Sequence, residues 1–231
     1  MPNDFETLKR IAQCYIQMEQ LEEAEEFLKL TLETDAGEDD IITHINLLNL
    51  YWQEERWNDV IEVINTIFDI DSTQTDLLDR IALAHQQLGE RDLALEAWNR
   101  TIANNDDNQD YFFNRGMLLF SMADDLAESD PEGSDELLRR ASEDFQAVIR
   151  LSPDDVEGRT FLVNTLLKLE DWQGIVNVLE PHLFPEGVEE TTANLTANVQ
   201  MWKVLRAAYL NTGEIDSAGI CTSVITTLGG E

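Results

Sequence analysis

Lysine is nearly missing from this chain: four of 231 residues, within a basic total of 15 that faces 47 acids and leaves a formal net charge of -32. So little positive charge argues against a surface that holds nucleic-acid phosphates or an anionic membrane. The acids are spread along the whole chain rather than gathered in a tail. Together with scarce lysine, that suits a halophilic protein solvated in concentrated salt, where the Debye length falls to about 3 Å and self-repulsion is screened. Ordinary acidity, or attraction for a basic partner, are the competing explanations.

Cysteine is almost as rare. Cys14 and Cys221 lie near opposite ends, each inside an apolar helical pattern, which predicts two buried thiols in a reducing compartment rather than a disulfide. The opening MPNDFETLKR shows no leader-like progression, and no run approaches the ~18 apolar residues of a membrane span. A cytoplasmic location is expected. The Asn-x-Thr matches at Asn99 and Asn194 carry no weight without an export signal.

Chemistry-bearing motifs are missing too. There is no Gly-rich phosphate loop, no GxSxG and no calcium-loop spacing. His44, His85 and His182 are far apart in sequence, and no Cys or His cluster has metal-ligand spacing. Acid pairs such as Asp39–Asp40, Asp106–Asp107 and Asp154–Asp155 fall where helices begin, as capping requires. No catalytic residue, metal or cofactor is expected, and the chain is read as a non-enzyme.

What is present is repetition. Tyr15, Leu21 and Ala24 recur as Tyr51, Trp57 and Val60, then as His85, Arg91 and Ala94, later as Leu166, Trp172 and Ile175, and last as Tyr209, Ile215 and Ala218, with offsets of six and three throughout. A further unit opens with FFNRGMLLF (112–120) and closes with ASEDFQAVIRLSP (141–153), its halves parted by about thirteen extra residues around SDPEG. Apolar residues three and four apart make each half a helix. Turns fall at Gly89 and Gly213, with Glu19, Glu55 and Glu170 at the same place in the units that lack the glycine. No segment alternates as a strand would, so the fold class is all-α. Ala82 on one helix is expected to face Ala94 on the next, with Ile81, Leu88 and Trp98 filling the space beside that close crossing.

This pattern resembles the tetratricopeptide repeat family, in about six units over 5–38, 41–74, 75–108, 109–155 with an insertion at 121–138, 156–188 and 198–231. The last unit matches best, with Trp202, Leu205, Tyr209, Gly213 and Ala218 at the family spacing. The resemblance implies one right-handed α-solenoid of antiparallel hairpins, a concave wall lined by first helices, and a role as a non-catalytic protein–protein interaction scaffold. The insertion is expected to lengthen both helices of the fourth unit, as a plain extension or a second contact surface.

Carried over place by place, the resemblance assigns the wall to Lys9, Arg10, Gln13 and Gln17; Asn46, Asn49, Trp52 and Gln53; Arg80, Leu83, Gln86 and Gln87; Phe113, Asn114, Met117 and Phe120; Phe161, Asn164 and Lys168; and Lys203 and Asn211. These places are rich in amides and poor in acids. Amides donate and accept at once, so such a row suits the backbone of an extended peptide or a helix of another protein; the alternative is that they are merely tolerated on exposed faces. Trp52, Phe113, Met117 and Phe120 form an apolar strip for partner side chains, or else Phe113 and Phe120 pack under the insertion. Some family members clamp a C-terminal carboxylate with residues at the places of Lys9, Gln13, Asn46, Asp76 and Arg80. Asp76 opposes such a clamp, since like charges ~4 Å apart repel by ~4 kcal/mol at an effective dielectric of 20. A rival role is weak self-association through the apolar edge after the last helix, around Val224 and Leu228.

Overall fold

In the computed structural model, which describes residues 4–184 and 199–230, helix follows helix in antiparallel pairs. The pairs are α1 Phe5–Gln17 with α2 Leu21–Leu32, α3 Ile41–Gln53 with α4 Trp57–Ile70, and α5 Leu78–Gln87 with α6 Arg91–Asn104. Then come α7 Gln109–Leu126 with α8 Pro131–Leu151, α9 Val156–Lys168 with α10 Trp172–Leu183, and α11 Val199–Thr212 with α12 Ile215–Thr227. A short 3-10 turn, Thr75–Leu77, precedes α5. No strand occurs among the described residues, so the all-α solenoid class holds. Asn194 lies outside the described residues, as do the ends of the fifth and sixth expected units. Among the described residues no helix is long and apolar enough to cross a membrane.

The hairpins fall into two compact units, Met1–Asp106 and Asp107–Glu231, of three hairpins each. The division lies beside the expected border between third and fourth repeats.

Several helix starts are set by short polar side chains, while α2, α4, α6 and α12, which follow left-handed turns, have no side-chain cap. The carboxylates of Asp4, Asp40, Asp130 and Asp171 accept hydrogen bonds from the amides of Thr7, Thr43, Gly133 and Gly174 at 2.8–3.0 Å, satisfying amides that the helix itself leaves orphaned. Asp40 is one of the paired acids expected at helix starts.

The turns explain the missing glycines. Gly89 and Gly213 adopt positive φ of 76° and 87°, and Glu19, Glu55 and Glu170 take the same left-handed place at 57°, 56° and 53°. The turn shape is common to five hairpins; three build it with glutamate, against a steric penalty that glycine would not incur.

Each hairpin closes at its expected small place. Ala24, Val60, Ala94, Ala141 and Ile175 are all 0% exposed, and Ala218 is 3% exposed. Ala82 is buried with Ala94, and Trp98 lies fully inside. In the fourth hairpin a Cβ on Gly116 would come 2.9 Å from the Phe145 ring, so only glycine allows α7 and α8 to approach this closely. The insertion lengthens these helices to 18 and 21 residues, as expected, with Pro131 at the first turn of α8. Bidentate bonds from Arg115 Nε and Nη2 to Asp144, at 2.9 and 2.7 Å, join the two.

Cys221 is buried, but Cys14 is exposed, which corrects the expectation of two inaccessible thiols. Leu8 and Ala12 form the buried side of α1; a residue two places on is turned about 200° around the helix. Both thiols are free.

Candidate functional site

In the first unit, α3 and α5 bring several of the expected wall residues together. Arg80 Nη1 donates to Asn49 Oδ1 at 2.8 Å. The same guanidinium stands 5.6 Å from the Trp52 ring centre, close enough for a cation–π attraction. Trp52 in turn meets Trp57 edge to face at 5.2 Å. Trp52 is therefore held on two sides, by a cation and by the first residue of α4, and is half-buried rather than loose. Around this centre Asn49, Gln53 and Gln87 are exposed and Asn46 and Leu83 half-buried.

Asp79, beside Arg80 on α5, was missed by the pattern. Burial pushes its carboxyl above the ordinary range, while the Arg80 amide, which donates to it at 2.8 Å, and the Arg80 charge pull the other way. It places a part-buried acid next to the only cation that α3 and α5 present here. Gln86, expected on the wall, instead accepts from the buried Trp98 Nε1 at 2.7 Å, which ties its side chain to the core. No periodic signal marks either residue.

On α1, Gln13 and Gln17 are exposed. Lys9 donates to Asp40 Oδ2 at 2.7 Å and stands 5.0 Å from the Phe5 ring centre. Of the five clamp places, then, Lys9 is paired with an acid of the next hairpin, Arg80 is engaged with Asn49, and Asp76 is exposed in the 3-10 turn. Arg10 is exposed and lines a shallow depression with Ile11, Cys14, Tyr15 and Met18.

In the second unit Phe113, Phe120 and Phe145 surround Phe161 of α9, at centroid distances of 5.6, 6.2 and 5.5 Å. Phe113 and Phe120 thus join their hairpin to the next and remain half-buried, with Asn114 and Met117 half-buried beside them on α7. Lys168 pairs with Asp124 at 2.9 Å and lies 5.3 Å from the Phe120 ring centre. Asn164 is exposed, Lys203 half-buried, and Asn211 donates to the Ala207 carbonyl of its own helix.

Two of the histidines are held by neighbouring groups. His44 is buried with Nδ1 3.1 Å from the Asp40 carbonyl, and His85 Nδ1 lies 2.7 Å from a Glu90 carboxylate oxygen. Among the described residues no group of His, Cys, Asp or Glu is arranged to hold a metal ion.

Comparison with known proteins agrees with this architecture. Residues 6–37 match the family model described as a tetratricopeptide repeat. The solved structure of MamA has a TM-score of 0.57 at 17% identity, covering 80% of this chain and 96% of its own. That of YrrB, described as a tetratricopeptide repeat protein with an unusual peptide-binding site, has a TM-score of 0.56 at 19% identity over 80% of this chain and 89% of its own. The C-terminal part of a repeat protein from Cytophaga hutchinsonii has a TM-score of 0.60 at 14% identity over 98% of this chain and 84% of its own. No curated protein matches the sequence. By sequence the chain carries a tetratricopeptide repeat at residues 6–37, and its hairpins share the fold of solved tetratricopeptide-repeat structures.

Proposed function

We propose that the chain is a non-catalytic interaction scaffold that binds an extended peptide or a helix of another protein along the first-helix wall, with the face of α3 and α5 in the first unit as its centre. The observation that carries this is the Asn49–Arg80–Trp52 arrangement. It combines a half-buried aromatic anchor, which hot spots favour, with amides and a guanidinium able to meet backbone carbonyls. In a chain of net charge -32, the exposed amides Asn49, Gln53 and Gln87 give a peptide a polar surface free of like-charge conflict. The solved YrrB structure, whose description includes a peptide-binding site, supports the reading by analogy of fold.

The test is selection of binding peptides from a displayed random library, followed by measurement against Asn46→Ala/Asn49→Ala/Arg80→Ala. Binding by the wild type that weakens at least about tenfold in the variant, with helicity kept, supports this wall. Equal binding by both proteins rules it out.

The acidic surface belongs to the same proposal: a cytoplasmic, halophilic protein whose charge is solvation rather than recognition. The wall then differs from the rest of the surface because it must shed water when a partner docks.

A further inference from the structure

A charged residue occupies a core place in the fifth hairpin. Seven positions before the tyrosine place of the five repeats without the insertion stand Leu8, His44, Leu78, Arg159 and Trp202, at 4%, 6%, 3%, 4% and 0% exposure. Arg159 is thus buried where other hairpins place leucine, histidine or tryptophan. Its Nη2 donates to the Pro153 carbonyl, but its Nη1 has no hydrogen-bond partner. Among the described residues no carboxylate forms an ion pair with it. Asp154 and Asp155 act on it through their charge alone, and Asp155 is already engaged in capping α9. A buried guanidinium left so incompletely satisfied is costly, and the cost falls if an anion joins it.

Space for one is present. Arg159 lines a cleft of about 390 Å³ between α8, α9 and α10, together with Gln146, Leu162, Asn177, Val178 and His182. That is the size range of small-ligand sites, about 300–1,000 Å³. Its chemistry is specific: one cation, two side-chain amides, aliphatic wall and an imidazole. Burial and the neighbouring Arg159 charge push the His182 pKa down, which favours the neutral ring over a second positive charge. A dianion is poorly matched to a single guanidinium in so acidic a protein, whereas a carboxylate fits the guanidinium fork.

We propose that this cleft binds a monocarboxylate, its charged group meeting Arg159 and its apolar body lying against Leu162 and Val178. The carboxylate is either a free organic acid or the C-terminal residue of a partner peptide. The site lies in the second unit, where Arg159 and Leu162 of α9 meet the second helices α8 and α10, and it includes none of the residues assigned to the first-helix wall.

The experiment follows the imidazole signal of His182, assigned with His182→Gln, by NMR during titration of the full chain. The probes are benzoate against benzyl alcohol, and an acetylated tetrapeptide Ala-Ala-Ala-Val as free acid against its amide. A saturable shift with benzoate and none with the alcohol assigns the site to a free acid. A shift with the peptide acid alone assigns it to a protein C-terminus. In either case Arg159→Met should abolish the shift, and Arg159→Lys, which keeps the charge but not the fork, should weaken binding about tenfold. Absence of a shift with both acids, or equal shifts with the neutral probes, overturns the proposal. So does an undiminished shift in Arg159→Met or, should that variant not fold, in Arg159→Lys.

Discussion

Asn49 on the second hairpin and Arg80 on the third are joined by a 2.8 Å hydrogen bond across 31 residues. The same separation recurs where Lys9 meets Asp40 and where Arg56 meets Glu25. Each bond ties one hairpin to the next within the first unit, so polar contacts repeat along with the apolar core. In all three the cation also stands over an aromatic ring, and Asn49–Arg80 differs in being exposed.

The tie at Glu25 gives a pH prediction. Burial alone would raise its pKa, but hydrogen bonds from Arg56, Lys29 and Tyr51 outweigh burial and hold it at about 2, against 4.5 for the free side chain. A folded pKa below the unfolded one means stability that is fully present above the unfolded value and lost as pH falls through the folded one. Glu25→Gln should cost about 1.5–3 kcal/mol near neutrality. In urea unfolding series the gap from wild type should narrow as pH drops from about 4.5 toward 2. A gap that stays constant over that range contradicts the account.

The left-handed glutamates predict gains rather than losses. Glu55→Gly should raise stability by up to about 1 kcal/mol, the relieved strain being partly offset by the freer unfolded chain. Gly89→Ala should lose a similar amount, although nothing lies within 4 Å of the added methyl. Thermal melts that shift the two variants in the same direction would refute the turn explanation.

Ala94→Leu tests the hairpin crossing. Ala94 has no exposed surface, so the added bulk should cost about 1–3 kcal/mol. An unchanged melting temperature means that α5 and α6 do not meet there.

Salt tests the reading of the surface charge. With a net charge of -32, helicity and melting temperature should rise as KCl increases from about 0.1 M to 3 M, because screening removes self-repulsion. A melt insensitive to salt would leave the acidity to another role.

Local signals made the fold readable. Tyr15, Tyr51 and Tyr209, the small places at Ala24, Ala94 and Ala218, and the apolar spacing between them are set by helix geometry within one hairpin. The backbone requirement was legible even where Glu19, Glu55 and Glu170 replace glycine, since spacing carried it. Individual side-chain partnerships were not legible. Nothing in the order of residues shows that Gln86 turns to Trp98, that Cys14 is left uncovered, or that Arg159 is buried without an acid. These depend on which side chains meet after stacking, and that choice has no period.

Site-specific photo-crosslinking measures the central claim most directly. A photoreactive residue replaces Gln53 on α3, or Asn65 on α4 as the control; both positions are exposed. With a library-selected peptide bound, the account predicts crosslinks from position 53 and not from 65. Crosslinks from 65 alone, or equally from both, would contradict recognition by the first-helix wall.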